Sequence, residues 1–412
     1  MTAPKPTEVM EKIIALCKRR GFVFPGSEIY GGLAGTWDYG PLGVALKNNL
    51  KSLWWRMFVT DRDDMHGVDA AILMNQRVWE ATGHVANFSD PLDGGCFNTM
   101  FKTQIGARSE ETATVYLRPE TAQGMFVNFK NILDTFHPKL PFGLGQIGKA
   151  FRNEIAPRDF LFRSREFEQM EVEYFVRPED WENRFERWRQ VMHEWMRAIG
   201  LPETAVHELE VPDGERAHYS KRTIDFEFNY PFGRKELYGL AYRTDFDLKQ
   251  HQEFSKQDMT YYDEETKKRF LPHVIEPSLG VDRTALAVLC SAYTEDELGG
   301  EPRTYLKLDK NIAPVSVAVF PLLKNKPDLV KKALEIFQKL KAGNLNLKAI
   351  FDDNGNIGKR YRRQDEIGTP YCVTIDFDTL GETPSLKDTV TLRDRDTGQQ
   401  ERVKIEDLVA RL

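Results

Sequence analysis

Two stretches of this 412-residue chain are dense in side chains that hold charged ligands. In Ser164–Val176 strand-like alternation puts Arg165, Phe167, Gln169, Glu171 and Glu173 on one side, and Met170, Val172, Tyr174 and Val176 on the other. In Gly143–Glu154, Gln146, Arg152 and Glu154 share a face by the same rule. The short polar loop between the stretches predicts an antiparallel hairpin. Its polar face would offer arginine forks for phosphate, a ring for a purine, and carboxylates for an ammonium or Mg2+. A solvated sheet face would alternate in the same way, but it would not explain a long polar run interrupted by Phe167. No GK[ST] phosphate loop is present and no GxGxxG follows a strand, so a nucleotide here would lie on an antiparallel sheet.

The elements that must position this hairpin are legible from periodicity. A first helix is expected from a Thr7 cap to Gly21, with Glu8 and Glu11 at its positive end, Lys18–Arg20 at its negative end, and Val9, Ile13 and Cys17 buried. A second follows Pro41, with Leu42, Leu46, Leu50, Leu53, Trp54 and Met57 at helical spacing, and a strand-like Ala70–Met74 comes after it. The glycine-rich Gly26–Gly43 reads as a packed loop on the substrate side. A long helix from Pro178 carries Trp181, Phe185, Trp188, Met192, Trp195 and Ile199 every three or four residues, which favours core packing over base stacking. Strands are expected at Thr223–Tyr230 and Glu236–Asp247, then a strand, turn and helix over His273–Cys290.

A domain boundary is expected across Ala292–Asn311, where acidic residues and GGEP interrupt the pattern. The rhythm beyond is that of a smaller α/β domain. Domains of 1–305 and 306–412 follow. The second contains GKRYRRQDE (Gly358–Glu366), four cations around a tyrosine, readable either as a nucleic-acid contact or as a solvated helix face with internal ion pairs.

Composition agrees with a folded multidomain protein: 41% hydrophobic, 29% charged and 11% aromatic residues, with a net charge of −6. That charge gives no global footprint for nucleic acid, so a polyanion must meet a local patch. No apolar run is long enough to span a membrane, and Met1–Pro6 lacks the pattern of a signal peptide, so a cytoplasmic address is expected. Cys17, Cys96, Cys290 and Cys372 are dispersed without a CxxC pair, and no zinc is expected.

FRNE (Phe151–Glu154), FRSREFEQME (Phe162–Glu171) and EPSLGVDR (Glu276–Arg283) resemble motifs 2 and 3 of class II aminoacyl-tRNA synthetases. GFVFPGSEIYGGLAGTWDYGPLG, YLRPETAQGMFVNFKN (Tyr116–Asn131) and GKRYRRQDEIGTP (Gly358–Pro370) resemble the homodimeric glycyl type, with likeness from about Ile13 to Leu408. The resemblance implies an α+β fold: a class II antiparallel-sheet catalytic core followed by an α/β anticodon-binding domain. Motif 1 would lie at about 40–76, motif 2 at about 148–175 and motif 3 at about 273–290, with dimerisation through Leu42–Met74.

It further implies attachment of glycine to tRNA through glycyl-adenylate, with ATP and Mg2+. Arg152 and Arg283 would be catalytic. The ATP site would comprise Arg152, Asn153, Glu154, Phe162, Arg163, Arg165, Phe167, Glu236, Leu237, Arg243, Gly280 and Arg283, with Glu236 beside Mg2+. Glycine would meet Glu120, Phe167, Gln169, Glu171, Glu276, Ser278 and Gly280, and tRNA would meet Lys359, Arg360, Tyr361, Arg362 and Arg363. Parity puts Glu236 and Arg243 on opposite faces, so a bulge is expected between them, permitted by Gly239. Two departures stand out. Gln76 occupies the place where motif 1 usually ends in proline, and Phe88–Thr103 is a short connection where relatives carry a long insertion. Competing readings are a synthetase-like regulatory subunit, which would be expected to lose its phosphate arginines, and an enzyme adenylating another small amino acid without tRNA.

Overall fold

The computed structural model describes residues 6–92, 95–106, 113–217, 219–343 and 347–412; residues 1–5 and the Cys96 side chain lie outside the described residues. Seven strands make the main sheet: β1 Met65–Gly67, β2 Phe142–Phe151, β3 Glu166–Val176, β4 Val206–Glu210, β5 Arg222–Tyr230, β6 Gly233–Thr244 and β7 His273–Gly280. They lie in the order β4-β5-β6-β7-β3-β2-β1, antiparallel except for β1, which runs parallel to β2. The expected hairpin is β2–β3, with Gln146 opposite Glu171 and Ala150 opposite Phe167.

Helices α1 (Pro6–Arg20), α2 (Pro41–Trp55), α3 (Ala122–Phe136), α4 (Trp181–Ala198), α5 (Phe246–Ser255) and α6 (Val281–Ala292) pack around this sheet. Met170, Val172, Tyr174 and Val176 are buried in one apolar core with the α4 and α6 side chains. The α4 stripe is core, as its spacing predicts: Phe185, Trp188, Met192, Trp195 and Ile199 are all buried, and Trp195 Nε1 donates to the Tyr238 hydroxyl at 3.1 Å. On the other face α3 packs Phe126 and Phe129 against Phe142 and Phe175, covering the apolar end of β3. The polar run ahead of Phe175 is left to face a cavity.

Several local expectations give way. The first helix begins at Pro6, so Thr7 lies inside it rather than capping it. Only Leu73 and Met74 of Ala70–Met74 are extended, and the strand that joins the main sheet is β1. The reason is close packing: Cβ atoms at Gly143 and Gly145 would overlap Met65 and Val59. The GLGQIG run at 143–148 has dinucleotide-loop spacing, yet it lies inside β2, where its glycines admit neighbouring side chains instead of phosphate. Trp37–Tyr39, within Gly26–Gly43, pairs with Val23–Pro25 just ahead of it as a small hairpin.

The segment across the expected boundary is itself structured. Tyr293–Leu298 and Glu301–Leu306 form a hairpin whose polar residues are paired, Arg303 with Asp296 at 2.6–2.8 Å inside it and Glu295 with Lys12 of α1. The first core continues through Leu306, Leu308, Ile312, Ala313 and Val315. A second sheet follows, with β8 Val317–Pro321, β9 Ala349–Phe351, β10 Tyr371–Ile375, β11 Thr389–Asp394 and β12 Gln400–Lys404 in the order β9-β8-β10-β11-β12. Helices α7 (Pro327–Gly343) and α8 (Ile357–Ile367) cover it.

GKRYRRQDE lies on α8 and is mostly committed to other parts of the protein. Arg360 is 1% exposed, and its guanidinium donates to the carbonyls of Pro321, Asp353 and Gly355. The Tyr361 hydroxyl pairs with Thr374, Arg362 pairs with Glu301, and Arg363 pairs with Asp352. Arg360 and Tyr361 are therefore corrected from nucleic-acid contacts to framework, because carbonyls and a core hydroxyl already satisfy them. Lys359 and Arg362 are exposed. The acidic end of α8 binds across the molecule instead of within the helix. Asp365 receives Arg393 at 2.8 and 2.9 Å and Arg303 at 3.4 Å, and Glu366 receives Arg20.

Removing one partner of such a buried network strands the others without counter-charge. Asp365→Ala is expected to destabilise the protein by ~3–5 kcal/mol. Denaturant unfolding checks this, with Glu366→Ala at the more exposed rim expected to cost clearly less.

Candidate active site

A cavity of about 510 Å3 lies over the polar face of the main sheet, lined by Glu120, Arg152, Gln169, Glu171, Glu236, Arg243, Glu276 and Ser278 among others. A second cavity, of about 170 Å3, adjoins it and is lined by Arg152, Glu154, Phe162, Arg163, Phe167, Glu236, Leu237, Gly280 and Arg283 among others. Arg152, Gln169, Glu236 and Ser278 border both. The two spaces meet at an arginine.

The larger cavity is a carboxylate cage. The two Glu171 oxygens accept from Ser278 Oγ, at 2.7 Å, and from Thr121 Oγ1. Glu120, at the start of α3, accepts from the N–H groups of Ala122 at 2.6 Å and Gln123 at 3.3 Å. Arg243 supplies the balancing charge. Its guanidinium takes Asp247 through two bonds of 2.8 Å, binds Glu276, and lies 3.7 Å over the Tyr219 ring. Arg243 is thus corrected from the nucleotide side to the floor of the larger cavity, and Asp247, four residues on at the start of α5, is the partner that strand parity did not reveal. Burial, and then the neighbouring Glu171, push the Glu120 carboxyl up to about 8; burial raises Glu276 to about 7 against the pull of Arg243. An ammonium is the complement such a cage lacks.

The smaller cavity is cationic. Arg152 Nε donates to the Pro119 carbonyl at 3.0 Å, and its guanidinium lies between the rings of Phe88 at 5.3 Å and Phe167 at 5.4 Å. Arg283 sits 4.5 Å over the Phe162 ring and 3.3 Å from Glu236. Burial, and then the charge of Arg283, depress Arg152 below the usual guanidinium range, so the two cations repel across a space that a polyanion would fill. Glu236 reaches this place because β6 is bulged: Phe226 pairs with Tyr238 and Glu227 with Glu236, leaving Leu237 as the extra residue. The expected bulge exists, two residues before Gly239. Asp225, opposite Gly239, is held up at about 6 by burial, then by Glu236 and Glu227.

Two expected nucleotide contacts line neither cavity. Arg165 donates to the carbonyls of Ala34, at 2.7 Å, and Glu154, pinning the glycine-rich segment to the hairpin. The Asn153 N–H is spent on the Thr99 carbonyl at 2.7 Å. Sequence reasoning missed Thr121, Asp225, Asp247 and Phe88. The TDFD run beside Arg243 was the available signal for Asp247, while Phe88 carried none.

Comparison with known proteins agrees with this division. Residues 101–292 match the tRNA synthetase class II core domain (G, H, P, S and T), and residues 316–412 match an anticodon binding domain. The glycine–tRNA ligase of Lachnospira eligens is 48% identical over 463 residues, covering 98% of each chain. That of Caldanaerobacter subterraneus is 47% identical over 96% of each, and that of Thermus thermophilus 44% identical over 496 residues and 98% of each. The chain belongs to the glycine–tRNA ligase family. The matched spans exceed its own 412 residues, so these family members carry extra residues inside the matched region.

The raised carboxyls have a consequence for stability. A Glu whose pKa is higher folded than unfolded favours the folded state below its unfolded pKa, and that contribution is lost as pH rises through the folded value. Glu120 and Glu276 should therefore make the ligand-free protein lose stability between about pH 5 and pH 8. Thermal melts across that window should show the decline, and Glu120→Gln should flatten part of it.

Proposed function

We infer that this chain activates glycine with ATP and transfers it to tRNA. The observation that carries the reading is the junction at Arg152, where a carboxylate cage suited to an ammonium opens onto a cationic space suited to a triphosphate. Glycine held by its ammonium at Glu120, Glu171 and Glu276 would direct its carboxylate toward the α-phosphorus. In-line attack there forms the acyl–phosphate bond as the bond to pyrophosphate breaks. Arg152 would stabilise charge on the transferring group and Arg283 charge on the departing pyrophosphate. No protein nucleophile is required.

Selectivity follows from space. A missing methyl weakens attraction by only ~1–3 kcal/mol, whereas overlap with Gln169, Glu171 and Ser278 would reject larger side chains. The crowded Glu236 and Asp225 carboxylates fit a divalent cation, and Mg2+ held there would offset charge on the outer phosphates. The second domain would receive the anticodon stem, with Lys359 and Arg362 as candidate contacts. A cytoplasmic homodimer joined through the Leu42–Met74 region completes the proposal.

ATP–pyrophosphate exchange dependent on glycine is the direct test. Arg152→Ala and Arg283→Ala are each expected to reduce exchange by about 10²–10³-fold with little change in melting temperature. A collapse of melting instead would make these arginines structural.

The short connection yields a separate expectation. Ser89–Leu92 and Gly95–Asn98 pair as a small hairpin separate from the main sheet, where added residues need not disturb the core. Grafting a family-length insertion between Pro91 and Asn98 should raise transfer to tRNA more than exchange, since binding energy there would orient the acceptor end. Measuring both half-reactions decides it: equal gains, or none, would refute this division.

A further inference from the structure

Of the two glutamates that β3 presents on its polar face, Glu171 is placed at the ammonium and Glu173 is not. The register Glu171↔Ser278 and Tyr174↔Ile275 sets it directly opposite Glu276 on the same face. Glu173 is wholly buried and Glu276 nearly so. Carboxylate oxygens of Glu171, Glu173 and Glu276 lie within 4.8 Å of one another. Neither Glu173 oxygen meets an N–H or O–H donor among the described residues. The nearby cation is already committed, since Arg243 serves Asp247 and Glu276. Glu171 is satisfied by Thr121 and Ser278, and Glu120 by the start of α3. An ionised Glu173 would be a buried anion against two others with no partner, an arrangement that proteins avoid by keeping a proton.

We propose that Glu173 is a positioning residue: it keeps its proton and donates it to Glu276, holding that carboxylate between the Glu173 O–H and Arg243 so that the cage is set to receive the ammonium of glycine. Burial, and then the charge of Glu276, raise Glu173 well above the usual carboxylate range, in keeping with this arrangement. The groups facing it are Glu171 from its own strand, Glu276 from β7, Arg243 from β6 and Asp247 from α5. Among these, only a protonated carboxyl can supply the donor that the second side of Glu276 needs. The same placement explains why a carboxyl is retained behind the site instead of an apolar residue: Leu would leave Glu276 tethered on one side only.

The proposal rests on glycine as substrate, which wild-type exchange with and without glycine tests on its own. If the wild type shows no glycine-dependent exchange, that reading fails before any variant is considered. Given exchange, Glu173→Gln and Glu173→Ala are compared by glycine KM, ATP KM and thermal melting across pH. Gln donates from its amide as the protonated acid does, so its glycine KM should stay within about threefold of wild type. Ala removes the donor and should raise glycine KM at least about 30-fold with ATP KM unchanged. Expressed per ammonium form of glycine, wild-type KM should rise at alkaline pH as the Glu173 proton is lost, and Glu173→Gln should lack that rise. The proposal is overturned if Gln is as damaging as Ala, which would mean the site needs an anion or holds a metal cation. An ordinary glycine KM in the Ala variant overturns it equally. Should Ala fail to fold, the KM and pH profile of the Gln variant decide alone.

Discussion

One guanidinium holds the floor of this site together. Arg243 is buried among Glu276, Asp247 and the rings of Tyr219 and Phe126, and its guanidinium binds both carboxylates. Placing several carboxylates on adjacent strands is unfavourable by itself, because like charges at low dielectric cannot all ionise. Arg243 makes the arrangement tolerable by taking two of them, α3 and the hydroxyls of Thr121 and Ser278 take others, and the balance is met with protons. What remains is a pocket short of positive charge. The chemistry proposed for the chain depends on that deficit.

The deficit adjoins a surplus. Arg152 and Arg283 repel each other a short distance away, so ligand-free protein carries unrelieved attraction for a cation at one end and for an anion at the other. A zwitterion alone would satisfy one end only. The amino acid and the triphosphate together neutralise both, which ties substrate order and proximity to the same electrostatics that shape the fold.

Period-two alternation made the catalytic face of β2–β3 legible, because a strand buried on one side leaves a trace at every second residue. The α4 tryptophans were legible for the same reason at period 3.6. What escaped has a common cause: partners that leave no mark in sequence. Arg165 and Arg360 look like ligand-binding groups by residue type, yet their guanidinium hydrogen bonds end on backbone carbonyls, which any residue supplies. The hairpin at Tyr293–Leu306 was hidden by acidic residues and glycines that read as a domain boundary until Asp296 is seen on Arg303. Resemblance carried the identity of Glu120, Glu276 and Arg283; periodicity alone did not join such distant segments. Glu173 stood on the right face from the beginning, but only the opposed strand shows why it has no partner except another acid.

The contact between Arg20 and Glu366 brings an early helix against one formed hundreds of residues later. During synthesis α1 emerges before α6 and α8, against which it packs. Its apolar side, Ile13, Leu16 and Cys17 included, can pack on Phe22 and Val23 early but is fully covered only once those later helices form. The chain thus closes on itself at the seam between its two domains, and completion of the C-terminal half is what seats the N-terminal end.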